Sequence, residues 1–148
     1  MTPEKDALLC QRYPKIFADR HADLRVSPMG FGLAVRDGWF DLIDRLCAQL
    51  QSISDQPGAP QAVATQVKEK FGALRFSVRV ESSTSEHRAA IAAAERASET
   101  ICEECGAAGR LVVASGCWMT RCDAHTPAEA LSVEEYLKLR KEWAERKQ

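Results

Sequence analysis

Apolar positions recur at steps of three and four between residues 39 and 53, where Trp39, Leu42, Ile43, Leu46, Cys47, Leu50 and Ile53 share one side of a 3.6-residue period. This predicts a helix with one buried face, opened by Asp37 as a capping residue and closed by "SDQPGAP". The period then changes to two. Val63, Thr65 and Val67 alternate along one run, and beyond "KEKFG" Leu74, Phe76, Val78 and Val80 alternate with Arg75, Ser77 and Arg79. The pattern predicts a β-hairpin with one wet face, its turn made by Phe71 and Gly72 with the Phe71 ring turned into the core.

Three further helices follow from their start signals. Thr2 can cap a helix whose first position is Pro3 and whose first turn holds Glu4, with Pro14 ending or kinking it and Leu8, Leu9, Ile16 and Phe17 supplying apolar contacts. Ser83 and Glu86 form a possible capping box before "EHRAAIAAAERASETI", where Ile91, Ala94, Ser98 and Ile101 line one side. Ser132 and Glu135 form another, opening an amphipathic helix with Val133, Tyr136, Leu137, Leu139 and Trp143, acidic early and basic late. Between these, "ADRHADLRVSPMGFGLAVRDG" carries Pro28, Gly30, Gly32 and Gly38, so it reads as loop with a short strand.

The elements describe an α+β chain, and 148 residues with 45% hydrophobic content suit a single small domain over 1–148. Charged residues are 28% of the chain but nearly cancel to a net charge of -1, so the whole protein lacks the balance of a nucleic-acid coater. "MTPEKDALLC" has no apolar stretch behind a positive start, and no run approaches the roughly 18 apolar residues of a membrane span. A soluble, cytoplasmic protein is therefore expected.

Such a compartment keeps thiols reduced, which favours metal binding over disulfides for the six cysteines. "CEECG" places Cys102 and Cys105 at knuckle spacing, with Gly106 able to take the positive backbone angle that closes the turn. "CDAH" repeats the spacing with Cys122 and His125, and "GRLVVASGCWMTR" between them has the length for two short strands turning at Ser115-Gly116. The expectation is a zinc-ribbon-like Cys3His knuckle pair within 101–126, holding a structural Zn2+. Four protein ligands leave no open position for the water or substrate of a catalytic metal.

The remaining candidates are less specific. Cys10, Cys47 and Cys117 read as buried free thiols, with Cys117 in the core or packed beside the metal. His87 reads as an exposed side chain near a helix start, and His21 as a loop histidine outside catalysis. The deaminase pattern, the G-x-S-x-G elbow, H-E-x-x-H and phosphate-binding glycine loops are not found. No enzyme and no small-molecule substrate is expected. Lys68, Lys70, Arg75 and Arg79 gather on and around the hairpin beside Phe71, a patch that could meet phosphates, although Glu69 and Glu81 dilute it.

Three segments in order, "DGWFDLIDRLC", "VKEKFGALRF" and "CEECGAAGRL…W…TRCDAH", together with the opening "MTPEKDALLCQRYPKIFADRH", resemble a group of small uncharacterised zinc-binding proteins encoded by phages and prophages of proteobacteria. The resemblance covers most of the chain and implies a zinc knuckle pair at Cys102, Cys105, Cys122 and His125. It also implies an accessory protein that binds and modulates a host protein, such as a defence or transcription factor. The alternative is a DNA- or RNA-binding regulator using the basic hairpin and the ribbon.

Overall fold

In the computed structural model, which describes residues 1–147, the chain is α+β, with four helices and two small antiparallel sheets. In order these are α1 (Pro3–Arg12), α2 (Phe40–Ser54), β1 (Val63–Lys70), β2 (Ala73–Arg79), α3 (Ser85–Ser98), β3 (Arg110–Ala114), β4 (Cys117–Arg121), β5 (Leu131–Ser132) and α4 (Val133–Glu145). No described helix is long and apolar enough to cross a membrane.

The apolar face read from the 3.6-residue period of α2 is buried in full, from Trp39 through Ile53. It meets Leu9 of α1, Ile16, Phe17, Met29, Leu33 and Val35 of the long loop, and Val67, Leu74 and Phe76 of the hairpin in one core. Ala90 and Ala94 of α3 close the core from the other side. Their small side chains let the α3 backbone approach α2, since close approach needs short Cβ substituents.

The hairpin forms with one departure from simple alternation. A bulge between Ala64 and Gln66 shifts the register, so Ala62, Ala64 and Val67 point inward while Val63 and Thr65 are only half-buried. Beyond the bulge, Val67 faces Phe76 on the core side and Lys68 faces Arg75 on the outer side. The turn puts both Phe71 (φ 54°) and Gly72 (φ 77°) in the left-handed region, as a two-residue hairpin loop requires. Phe71 is 65% exposed, so its ring is not part of the core. The loop before α2 adds a partial third strand: Ala34 N donates to Val67 O and Ala34 O accepts from Glu69 N. On the other side, β2 offers Leu74 N and Phe76 N to Ser98 Oγ (2.8 Å) and Glu95 Oε1 (3.1 Å) of α3.

Four local expectations are corrected. Thr2 does not cap α1; its N–H and hydroxyl reach across to Asp37 at 2.7 and 3.1 Å. Asp37 is thereby occupied, and α2 starts behind a short 3-10 turn with no side-chain cap. Thr84, not Ser83, caps α3, accepting from His87 N. His87 is fully buried, because it lies one turn ahead of Ala90 on the inward face. Its Nδ1 sits 2.8 Å from Thr84 Oγ1 and its Nε2 3.4 Å from Ser54 Oγ, which also accepts from Ala62 N. The ring thus joins the end of α2, the entry to β1 and the start of α3. Ser132 and Glu135 do form the predicted capping box at α4.

The long loop is held by one buried carboxylate. Asp6 accepts from Arg20 Nε (2.8 Å) and Nη2 (3.2 Å) and from Leu33 N (3.0 Å). Burial pushes its carboxyl up, but the Arg20 fork and the Leu33 N–H outweigh this and hold its pKa below the ordinary aspartate value. The contribution is present above the unfolded pKa of about 3.9 and is lost as the pH falls through the lower folded value. Asp6→Asn is expected to cost about 1 to 3 kcal/mol at neutral pH and to flatten the acid limb of the stability curve, measured by urea melts across pH. An unchanged acid limb would show that Asp6 is not the linked group.

Candidate metal centre

The first knuckle begins where α3 runs out. Ile101 bridges Ala108, Cys102 N donates to Ala107 O (2.8 Å), and Gly106 N donates back to Cys102 O (2.8 Å). Gly106 takes φ 79°, the left-handed angle that a Cβ would strain. The second knuckle follows β4 as a short 3-10 turn in which His125 N donates to Cys122 O (3.0 Å) and Thr126 Oγ1 to the same oxygen (2.8 Å). Between them β3 and β4 pair in register through a tight turn at Ser115 (φ 50°) and Gly116 (φ 78°), as the sequence predicts.

This folding brings Cys102, Cys105, Cys122 and His125 together, with all four donor atoms within 4.8 Å of one another. Cys105 Sγ and Cys122 Sγ are 3.7 Å apart, and His125 Nδ1 lies 3.7 Å from Cys102 Sγ and 3.2 Å from Cys122 Sγ. A tetrahedral ion about 2.3 Å from each sulfur sets donor edges of about 3.8 Å, so the cluster fits a metal ion. Cys102 is fully buried whereas Cys105 and His125 are exposed, which leaves the centre sealed on one side. Burial pushes the Cys102 thiol up, but N–H groups of Cys122, Cys105 and Glu104 aimed at its sulfur prevail and bring it down to about 6. The Cys105 thiol moves the other way: the Ala107 N–H lowers it, but burial and the neighbouring Cys102 and Cys122 sulfurs together raise it.

The two glutamates inside "CEEC" tie the knuckles together. Arg121, the residue before Cys122, donates from Nη1 to Glu103 Oε2 (2.9 Å) and reaches Glu104 Oε1 from Nη2 (3.1 Å). Glu104 also meets Arg36 Nε at 3.2 Å. Glu103 N donates to Thr120 O (3.1 Å), and Thr120 Oγ1 to Gly72 O (2.7 Å) at the tip of the first hairpin. A Cβ at Gly72 would lie 2.2 Å from Leu111 Cδ1, so that tip rests directly on the ribbon.

The segment "DGW" seats the helical core on the first knuckle. Gly38 N donates to Glu103 O (2.8 Å), and a Cβ at Gly38 would fall 2.2 Å from Cys102 O and 2.5 Å from Gly106 N. The neighbouring Trp39 is buried and donates its indole N–H to Ile101 O (2.9 Å). The sequence marks Trp39 only as a core residue and Gly38 only as loop, so this seat emerges from the structure alone.

The other candidates separate. Cys47 is buried as expected, and burial, with Asp44 and Cys10 nearby, raises its thiol strongly. Cys10 is half-buried against Asp6 and pushed up to about 11, by burial first and by the carboxylate next. Cys117 is exposed on β4, contrary to the core expectation, because its place beside the Ser115-Gly116 turn faces solvent. His21 is exposed on the long loop. On the hairpin, Lys68 and Arg75 are cross-strand neighbours, but Arg75 approaches Glu95 (3.9 Å) and Arg79 pairs with Asp19 (2.9 Å). Lys70 lies over the Phe71 ring, 5.5 Å from its centroid. No protein family, curated protein or solved structure matches this chain.

Cys102→Ser is expected to abolish tight metal binding and to lower stability by several kcal/mol, because binding energy at such a centre is folding energy. Metal content and melting temperature equal to wild type would refute this. Gly38→Ala leaves all four donors in place but forces its new methyl against backbone. We expect a loss of at least about 2 kcal/mol and weaker retention of metal against a competing chelator.

Proposed function

We propose that this chain is a non-catalytic, zinc-stabilised binding protein whose partner is another protein. Three cysteine sulfurs and one imidazole nitrogen form a donor set suited to Zn2+, and four protein donors leave no coordination site for a reacting group. The metal then acts as a clasp that holds the body of the protein in shape. The sequence resemblance supports a phage or prophage accessory protein that modulates a host factor in the host cytoplasm.

The observation that carries the reading is apolar surface left outside this body. Leu24 (51% exposed), Val26 (76%) and Phe31 (76%) stand on one loop, and Leu137, Leu139 and Trp143 stand out from α4. Large apolar side chains gathered on one segment favour a protein partner, because burial of such surface drives protein association. The nucleic-acid alternative is weaker here, since Glu95 and Asp19 offset two of the four hairpin cations.

The test is a pull-down from host lysate with the tagged, zinc-loaded chain, with and without nuclease and at two salt concentrations, beside the loop variant Val26→Asp/Phe31→Asp. A discrete protein retained after nuclease treatment and lost with the loop variant is the expected result. Recovery of nucleic acid alone, falling steeply with salt, would replace this reading with the alternative.

A further inference from the structure

The last helix leaves two large apolar side chains, Leu139 and Trp143, about half exposed along one face. α4 is anchored by its first half, where Val133 and Tyr136 are half-buried and the Tyr136 ring meets Trp118 edge-on at 5.9 Å between centroids. Further along, Leu139 (49% exposed) and Trp143 (57% exposed) flank a groove of about 400 Å³ floored by Val113 and Leu131. Lys147 Nζ sits 3.7 Å from the Trp143 ring centroid.

Charge along this face decides what fits it. Glu135, Leu139, Glu142, Trp143 and Arg146 fall at helical steps of four, three, one and three, so they form a single stripe. An acid stands at its start and a cation at its end; between them lie Leu139 and Trp143, with Glu142 beside them turned to Arg146 of its own chain. Ser132 N and Oγ both donate to Oε2 of Glu135, and these bonds hold its carboxyl below the ordinary glutamate value, so the acid end stays charged. Arg146 has a loose pairing with Glu142 (3.8 Å) and remains exposed.

Such a stripe is complementary to itself in one arrangement. With a two-fold axis crossing the helix between Leu139 and Trp143, an antiparallel copy places its Arg146 level with Glu135 and its Trp143 level with Leu139. A parallel copy would stack acid on acid and cation on cation. The contact is isologous, so each copy supplies one acid, one cation and the same apolar centre, and the dimer holds two charge pairs.

From this we propose that α4 is a dimerisation element that pairs antiparallel with α4 of a second copy, Leu139 and Trp143 of each copy closing over the groove of the other. The proposal rests on the reading of this chain as a protein-binding module and assigns the α4 face to self-association, leaving the Leu24–Phe31 loop for the other protein. A pair of helices this short buries less than the roughly 800 Å² per partner of a standard interface, so the dimer is weak and reversible. Its charge pairs are exposed, so it weakens with salt.

The test is sedimentation equilibrium of the full zinc-loaded chain from low micromolar to several hundred micromolar, at low and high salt. A monomer–dimer equilibrium is expected, abolished by Trp143→Glu and weakened about fivefold or more by Arg146→Glu. Lys141→Glu removes the same charge from the opposite side of α4 and is expected to leave association unchanged. Circular dichroism and metal content report whether each variant stays folded. A chain that is monomeric throughout, or a dimer that withstands both Trp143→Glu and Arg146→Glu, overturns the proposal. A monomer that still captures a host protein would overturn self-association while the binding-module reading stands. A dimer that captures none would do the reverse.

Discussion

The fold depends on the seat that Gly38 and Trp39 make on the first knuckle. Backbone meets backbone there: the Gly38 N–H enters Glu103 O, and no side chain fits between Gly38 and the Cys102–Gly106 turn. Trp39 belongs at once to the α2 core and, through its indole N–H, to Ile101 O, next to Cys102 of the Cys3His cluster. Order in the Cys3His cluster and order in the hydrophobic core are therefore mechanically joined. A change in one is transmitted to the other through rigid, close-packed groups.

Around that seat the charges serve position more than strength. The chain from Arg36 through Glu104 and Arg121 to Glu103 binds three segments far apart in sequence, and Arg121 and Glu103 are both nearly buried. Buried ion pairs gain little net stability because desolvation opposes their attraction, but misplacing one partner leaves an expensive orphan. Their effect is to select one docking of the second knuckle against the first. The same holds for Asp6, which gathers Arg20 and Leu33 N from a loop with little regular structure of its own.

What the sequence made legible was whatever carries a period or a spacing. The α2 face, the hairpin turn, the ribbon strands and the four clustered Cys and His residues were all readable because each is encoded within a few residues. The misreadings came from groups whose partners are distant. Asp37 looks like a cap until Thr2 claims it, and the bulge at residues 64–66 inverts the inward set over the first half of β1. His87 was legible in principle, since it continues the Ala90, Ala94 and Ser98 face one turn back, but its polar type pointed outward. Phe71 shows the opposite error: aromatic type pointed inward, while the turn geometry lifts its ring into solvent.

The side chains of α3 that accept from β2 have a consequence for how this molecule meets others. A strand with free N–H groups along its rim is a template onto which any extended peptide can be stitched. Here Ser98 and Glu95 occupy those donors, the Ala34 segment occupies the far rim of β1, and Glu103 N holds Thr120 O on β4. At these positions the chain itself already holds the groups that an added strand would have to pair with.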